Sequence, residues 1–131
     1  MLSFHFILLF YLIISSSFFY SGNSFVVEFL KQNLFCKDLS RFFEYDREIW
    51  TSFLKTQNGF VSKDYWLDPS ESKYLTGNCT VYQHITWTSR ELWKSISQVD
   101  LAQVDEEFVK AFGYDPIITA LPTDEGFNVL P

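Results

Sequence analysis

Apolar and polar residues alternate with a period of two in the segment 25–31 (FVVEFLK), which predicts a first β-strand. One face of this strand is apolar throughout, and the other carries Glu28 between apolar neighbours. In the segment 37–57 the apolar residues recur at helical spacing instead. We therefore expect a helix there, which ends at Asn58-Gly59.

Two further strands are predicted at 60–67 and at 79–87, with a polar loop between them. The tetrad Thr88-Ser89-Arg90-Glu91 follows at once and matches a capping box, with Thr88 as the helix cap. The chain is thus expected to turn from strand to helix directly after Trp87.

The helical pattern after this cap breaks near 97–100, and a second helix is predicted from Leu101 to Phe112 before Gly113 ends it. A fourth strand is predicted at 117–121 (IITAL). The order strand, helix, strand, strand, helix, strand predicts an α+β, ferredoxin-like βαββαβ fold. Its four-stranded antiparallel sheet would carry both helices on one face, in a single domain at 24–131.

The first twenty residues contain no Asp, Glu, Lys or Arg, and 4–14 are apolar except for His5. This pattern favours a signal peptide or membrane anchor at 1–23. A buried N-terminal helix and a misassigned start are the alternatives. The domain is expected to be exported or membrane-anchored if this segment is genuine, with membrane contact only through 1–20, and cytoplasmic otherwise.

The amino-acid composition favours some classes of function and excludes others. Aromatic residues make up 20% of the 131 residues, enough to line an apolar pocket. The net charge is −6 and there is no run of Lys or Arg, so we expect no nucleic-acid partner. No phosphate loop, Ser-His-Asp arrangement or His/Cys metal set is readable, and no cofactor is predicted.

Four segments in this order (VVEFLK, DREIWTSFL, GFVSKDYWLDP and ITWTSRELWKSI) resemble the antibiotic-biosynthesis-monooxygenase-like group of dimeric α/β barrels. More narrowly, they resemble a cyanobacterial branch of that group with no established function. The resemblance covers about 25–113. It implies a homodimer whose two sheets pack face to face, with a pocket between sheet and helices in each subunit. Members of the group include cofactor-independent oxygenases, haem-degrading enzymes and proteins without demonstrated chemistry.

The haem-degrading members use an Asn on the first strand, a Trp at the end of the third and a His on the next helix. Trp87 matches the Trp, but Glu28 and Ser97 stand at the other two positions. Haem degradation of that type is therefore disfavoured.

Asp46 lies near the centre of the apolar stripe of the first helix, where an unpaired carboxylate is costly. A hydrogen bond to a Trp indole or to Lys63 is the favoured structural interpretation. The functional interpretation makes Asp46 the catalytic acid or base of a pocket. If the Glu28 face meets the helices, Glu28 and Asp46 could form a carboxylate pair; if it faces the dimer, Glu28 would bond across the interface.

The predicted ligand-pocket residues are Glu28, Trp50, Trp66 and Trp87, although core packing is the default for the three tryptophans. Two functions remain open. One is a pocket for a small apolar or aromatic ligand, with cofactor-independent monooxygenase chemistry as its specific form. The other is a non-catalytic structural or interaction module, tethered or exported by its N-terminal segment.

Cys36 follows the first strand and Cys79 opens the third, so the fold could bring them together as a disulfide. Two independent buried thiols are the favoured alternative.

Overall fold

The computed structural model describes residues 24–68, 70, 77–122 and 124–130. They form an antiparallel sheet with strands β1 (Val26–Phe35), β2 (Phe60–Leu67), β3 (Asn78–Trp87), β4 (Ile117–Leu121) and β5 (Phe127–Asn128). The predicted signal peptide or anchor at 1–23 lies outside the described residues. Within the described ranges, no helix is both long enough and apolar enough to cross a membrane.

Three helices accompany the sheet. Helix α1 is continuous over 39–54, with α-helical turns at Leu39–Tyr45, a π-helical segment at Asp46–Thr51 and a last α-helical turn at Ser52–Leu54. A 3₁₀ turn at Cys36–Asp38 leads into it. The other two are α2 (Arg90–Lys94) and α3 (Gln98–Phe112).

The strand order is β2-β3-β1-β4, with the short β5 paired to the start of β1. All pairs are antiparallel, and β1 and β3 lie in the centre of the sheet. This is the predicted ferredoxin-like order, so the α+β fold class is confirmed. The strands and helices follow the predicted order because the hydrophobic period changes at each junction. The two-residue strand β5 has too little pattern to be predicted.

The core has two apolar clusters on the helix side of the sheet. One contains Trp87 and Ile85 near one end of β3, and the other contains Val81 with Phe42 and Phe108 near its other end. Between them on β3 lies Gln83, which is buried although polar. The interior therefore changes from apolar to polar and back along a single strand.

Several element ends differ from the prediction. Strand β1 continues to Phe35 because Gln32 and Asn33, although polar, pair with β3. Ser89, rather than Thr88, caps α2, since its hydroxyl accepts a hydrogen bond from Leu92 N at 3.2 Å. The predicted end of α3 is confirmed at Gly113, whose φ of 104° favours glycine.

A β-bulge at Val61 shifts the register of β2 against β3. Strict alternation from Phe60 would place Trp66 on the helix side of the sheet. The bulge reverses this pattern, so Lys63 and Tyr65 face the helices and Trp66 faces away from them.

Cys36 and Cys79 form a disulfide, with Cα atoms 4.9 Å apart. The expectation of two independent buried thiols is therefore wrong. Leu34 pairs with Cys79 across the two central strands, and Cys36 N donates to Gly77 O at 2.9 Å. This pairing continues past the end of β1, and it brings the two cysteines within bonding distance.

Candidate functional site

A cavity of about 300 Å³ lies between the sheet and the helices. Its walls are contributed by β1, β2, β3, β4 and all three helices. The apolar part of the wall is formed mainly by Leu30, Trp50, Leu54, Ile85, Trp87 and Trp93. A volume of this size is at the lower end of the range for small-molecule sites, and a mainly apolar wall with a few polar groups is typical of them.

The polar part of the wall is centred on Asp46, which is only 1% exposed. Its Oδ2 atom accepts hydrogen bonds from Lys63 Nζ at 2.6 Å and from the Tyr65 hydroxyl. Its Oδ1 atom accepts a longer one from Gln83 Nε2 at 3.4 Å, and Gln83 Nε2 also donates to Gln32 Oε1. The carboxylate thus has three donors, which satisfies the requirement that a buried charge be paired and hydrogen-bonded.

The π-helical segment of α1 contributes two groups to this network. Asp46 opens the segment and Thr51 closes it. Because the Tyr65 hydroxyl donates to Asp46, its oxygen accepts the hydrogen bond from Thr51 Oγ1, at 3.2 Å. Single π-helical turns inside α-helices occur frequently at functional sites. Here the turn brings both side chains to the same tyrosine of β2.

Lys63 is almost completely removed from solvent, with 2% of its side chain exposed. Burial lowers the pKa of its amine, and the neighbouring Asp46 carboxylate opposes this shift. Burial together with the Asp46 charge raises the pKa of Tyr65, so its hydroxyl keeps its proton and remains a donor to Asp46.

Glu28 lines the same cavity and, among the residues that the structure describes, makes one side-chain hydrogen bond, as acceptor from Trp87 Nε1 at 3.3 Å. Among the described residues it has no ion-pair partner within 4 Å. Burial raises the pKa of this carboxyl, while the Trp87 indole and the charges of Lys63 and Lys94 partly oppose the rise. Glu28 is therefore a carboxyl group of the cavity whose protonated form is favoured by burial.

The structure brings Asp46 together with Glu28, Trp50 and Trp87, all of which line the cavity. Trp66 is on the other face of the sheet and 53% exposed, so it does not line this cavity. The prediction that Trp66 is a residue of this pocket is therefore wrong. The cause is the bulge at Val61.

Sequence reasoning did not assign Lys63, Gln32 and Gln83 to the pocket. A signal for Gln83 was present, because alternation along the third strand places it on the same face as Trp87. No local pattern identified Lys63, whose orientation depends on the bulge.

One side of the cavity is bordered by α2 and by the segment that follows β4. Lys94 Nζ lies 4.1 Å from the centre of the Trp93 ring and donates to Asp124 O. Arg90 Nε donates to Glu125 O at 2.9 Å, and Arg90 Nη2 donates to Asn128 Oδ1 at 3.0 Å. These contacts fasten the segment 124–128 to α2.

The face of the sheet opposite the helices carries a cluster of rings around Phe29. Trp66 and His84 stack at 4.9 Å between ring centroids, and Phe29 lies within 6.1 Å of Trp66, Tyr82, His84 and Phe127. We call this cluster the open aromatic face. His84 belongs to it and does not line the cavity.

No protein-family model matches the chain. No curated protein matches it either. A solved structure from Shewanella loihica, named a "putative monooxygenase", aligns over 75% of this chain and 90% of that chain. The identity is 16% and the TM-score is 0.42, so we draw no functional argument from this similarity.

Proposed function

We propose that the cavity binds a small, mainly apolar or aromatic molecule, and that Glu28 exchanges a proton with it. The observation that carries this proposal is the Glu28 carboxyl group, which has a single hydrogen-bond donor within the described part of the chain, in a cavity walled by three indole rings. A filled interior beside Asp46 would have favoured a non-catalytic module, whereas Asp46 borders a cavity.

The role of acid or base belongs to Glu28 rather than to Asp46 in this proposal. Asp46 accepts hydrogen bonds from three donors, so both of its carboxylate oxygens already have partners within the protein. The hydrogen bond from Lys63 agrees with the structural interpretation of Asp46 given in the sequence analysis, where Lys63 was one of its two expected partners. Asp46 would then be a positioning residue for Lys63.

The specific form of this function is a cofactor-independent monooxygenase, in the cyanobacterial branch that the sequence resembles. Removing a proton from an aromatic hydroxyl or an enol gives an electron-rich anion, and such an anion is what reaction with dioxygen requires when no cofactor takes part. Trp50, Trp87 and Trp93 would hold the flat ligand beside Glu28.

We further propose that the domain is a homodimer, with the open aromatic face covered by a second copy. The resemblance implies this arrangement, and the exposed rings of Trp66 and Phe127 would lose water contact on association. The Cys36–Cys79 disulfide supports export to an oxidising compartment, because such bonds are rare in the cytosol.

A thermal-shift screen of small arenes, phenols and aromatic ketones tests the proposed function. Ala120 lines the cavity, so Ala120→Phe should fill it, whereas Ala111→Phe places the same side chain on the exposed side of α3. We expect ligands that stabilise the wild type and the Ala111→Phe variant but not the Ala120→Phe variant. If no compound stabilises the wild type and Ala120→Phe raises the melting temperature, the cavity is only a packing void and the proposal fails.

A further inference from the structure

The Lys63 ammonium group has unused hydrogen-bonding capacity inside the cavity. It carries three N–H donors, and one of them bonds Asp46. Its nitrogen has no second hydrogen-bond acceptor among the residues that the structure describes. Because a buried donor without an acceptor is costly, a ligand oxygen at this position would be stabilised.

The charges around Lys63 determine whether a neutral or an anionic ligand oxygen is favoured next to its ammonium group. The positive charge of Lys63 is already matched by Asp46, and Glu28 adds a second carboxyl to the same cavity. An anionic ligand would therefore approach two acidic groups and a lysine that is already paired, while the other lysine of the cavity, Lys94, bonds Asp124 O and lies over the Trp93 ring. A neutral acceptor, such as a carbonyl oxygen, takes the same N–H donors without this repulsion.

Glu28 and Lys63 are placed to act on one ligand. Both pair with Ile85 of β3 from opposite sides, so they lie on the same face of the sheet, on strands two apart. Their charges interact across the cavity. A ligand between them would have a polar atom at an N–H donor and a neighbouring part of the molecule at a carboxyl group.

We propose, building on the proton-exchange role proposed for Glu28, that the substrate is an enolisable ketone or aldehyde with an apolar or aromatic body. Lys63 donates to the carbonyl oxygen, and the Glu28 carboxylate takes a proton from the adjacent carbon. The Asp46, Tyr65 and Gln83 contacts keep Lys63 in place.

This enolisation step needs no oxidant, reductant or other co-reactant. The C–H bond next to the carbonyl breaks, and its proton goes to a carboxylate oxygen of Glu28. The electron pair of that bond forms a carbon–carbon double bond, and the carbonyl π pair moves to oxygen, where Lys63 stabilises the negative charge. The Glu28 carboxyl then exchanges its proton for a deuteron of the D₂O solvent. Transfer of that deuteron to the carbon regenerates the ketone and the carboxylate, so the net result is exchange of that hydrogen for deuterium.

The test uses the full-length chain in D₂O with 1-indanone, an aromatic ketone, and follows the proton signal next to its carbonyl by NMR. Indane, which has the same rings without the carbonyl, serves as the binding control. We expect the wild type to accelerate exchange by about 100-fold or more over buffer. Glu28→Gln should return the rate to that of buffer, and the exposed substitution Glu48→Gln should leave it unchanged.

Lys63→Met alone would leave Asp46 buried without its counter-ion, so the double variant Lys63→Met/Asp46→Leu is the informative one. It should keep a cooperative thermal transition and still bind indane, yet lose the exchange activity. Exchange that persists in this variant or in Glu28→Gln would overturn the inference. Binding of indane or phenols by the wild type with exchange of 1-indanone at the buffer rate would also overturn it, while leaving the proposed function standing. If no compound binds at all, both fail.

Discussion

Lys63 Nζ lies 2.6 Å from Asp46 Oδ2, and each side chain is only 2% exposed. This buried ion pair joins helix α1 to strand β2 beside the cavity. Removing one partner of a buried pair leaves the other as an uncompensated charge in a medium of low polarity.

We therefore predict that Asp46→Leu lowers the free energy of unfolding by about 3–5 kcal/mol. Lys63→Met/Asp46→Leu should recover most of this loss, because the double variant leaves no isolated charge. Glu48→Leu is the matched control, since Glu48 lies in the same π-helical segment but is exposed. Chemical denaturation measures all three. Equal stability of Asp46→Leu and the wild type would show that the pair does not stabilise the fold.

The second prediction concerns the pH dependence that Glu28 gives to stability. Burial raises its pKa in the folded state above the ordinary value of 4.5. As pH rises above that value, the unfolded chain loses the proton first, so the folded state binds more protons and its stability falls. The loss is complete once the pH exceeds the pKa of the folded state.

Glu28→Gln removes this contribution while it keeps an oxygen that can accept from Trp87 Nε1. The melting temperature of the variant relative to wild type should thus rise as pH increases from 4.5 towards neutrality, and then level off. A series of thermal melts at fixed ionic strength measures the difference. A difference that stays constant or falls over this range would contradict the raised pKa of Glu28.

The disulfide gives a third prediction. Cys36 and Cys79 are 43 positions apart, so their bond closes a long loop in the unfolded chain. In the chain-entropy model, Cys36→Ala/Cys79→Ala should cost about 4 kcal/mol. Denaturation of the oxidised wild type and of the double variant measures this cost. Protein purified from an oxidising compartment should contain no free thiol, and a count of two would exclude the bond.

The open aromatic face gives a fourth prediction. Residues 24–131 should sediment as a dimer at micromolar concentration, since the exposed rings on that face would be buried between two sheets. Trp66→Glu places a charge on this face and should shift the domain to a monomer. Val99→Glu, at an exposed position of α3, should leave the dimer intact. A wild-type monomer at this concentration would rule out the proposed assembly.

Local periodicity was sufficient to predict the order of the elements and the two faces of β1. Glu28 was expected to share a face with Val26, and it does so on the helix side of the sheet. Asp46 was expected to be buried, because its position in the apolar stripe of the first helix follows from residue spacing alone. These features depend on segments of a few residues, which a sequence specifies directly.

The contacts between segments were harder to predict. The face of Lys63 and Trp66 depends on one extra residue in β2, and the bulge at Val61 has no distinct sequence signal. The Asp46 network depends on the packing of α1 against β2 and β3, and Asp46 had several candidate partners before the register was known. The disulfide likewise depended on how far the pairing of β1 with β3 extends.

The most direct test of the account is calorimetric titration of the best ligand from the thermal-shift screen, repeated in buffers with different ionisation enthalpies. The dependence of the binding enthalpy on the buffer gives the number of protons exchanged on binding. We predict a clear proton exchange for the wild type at pH values above 4.5 and none for Glu28→Gln, because burial raises the pKa of Glu28 above that ordinary value. Binding with the same proton exchange in both proteins, or a wild type that binds none of the screened compounds, would contradict the proposed role of the cavity and of Glu28.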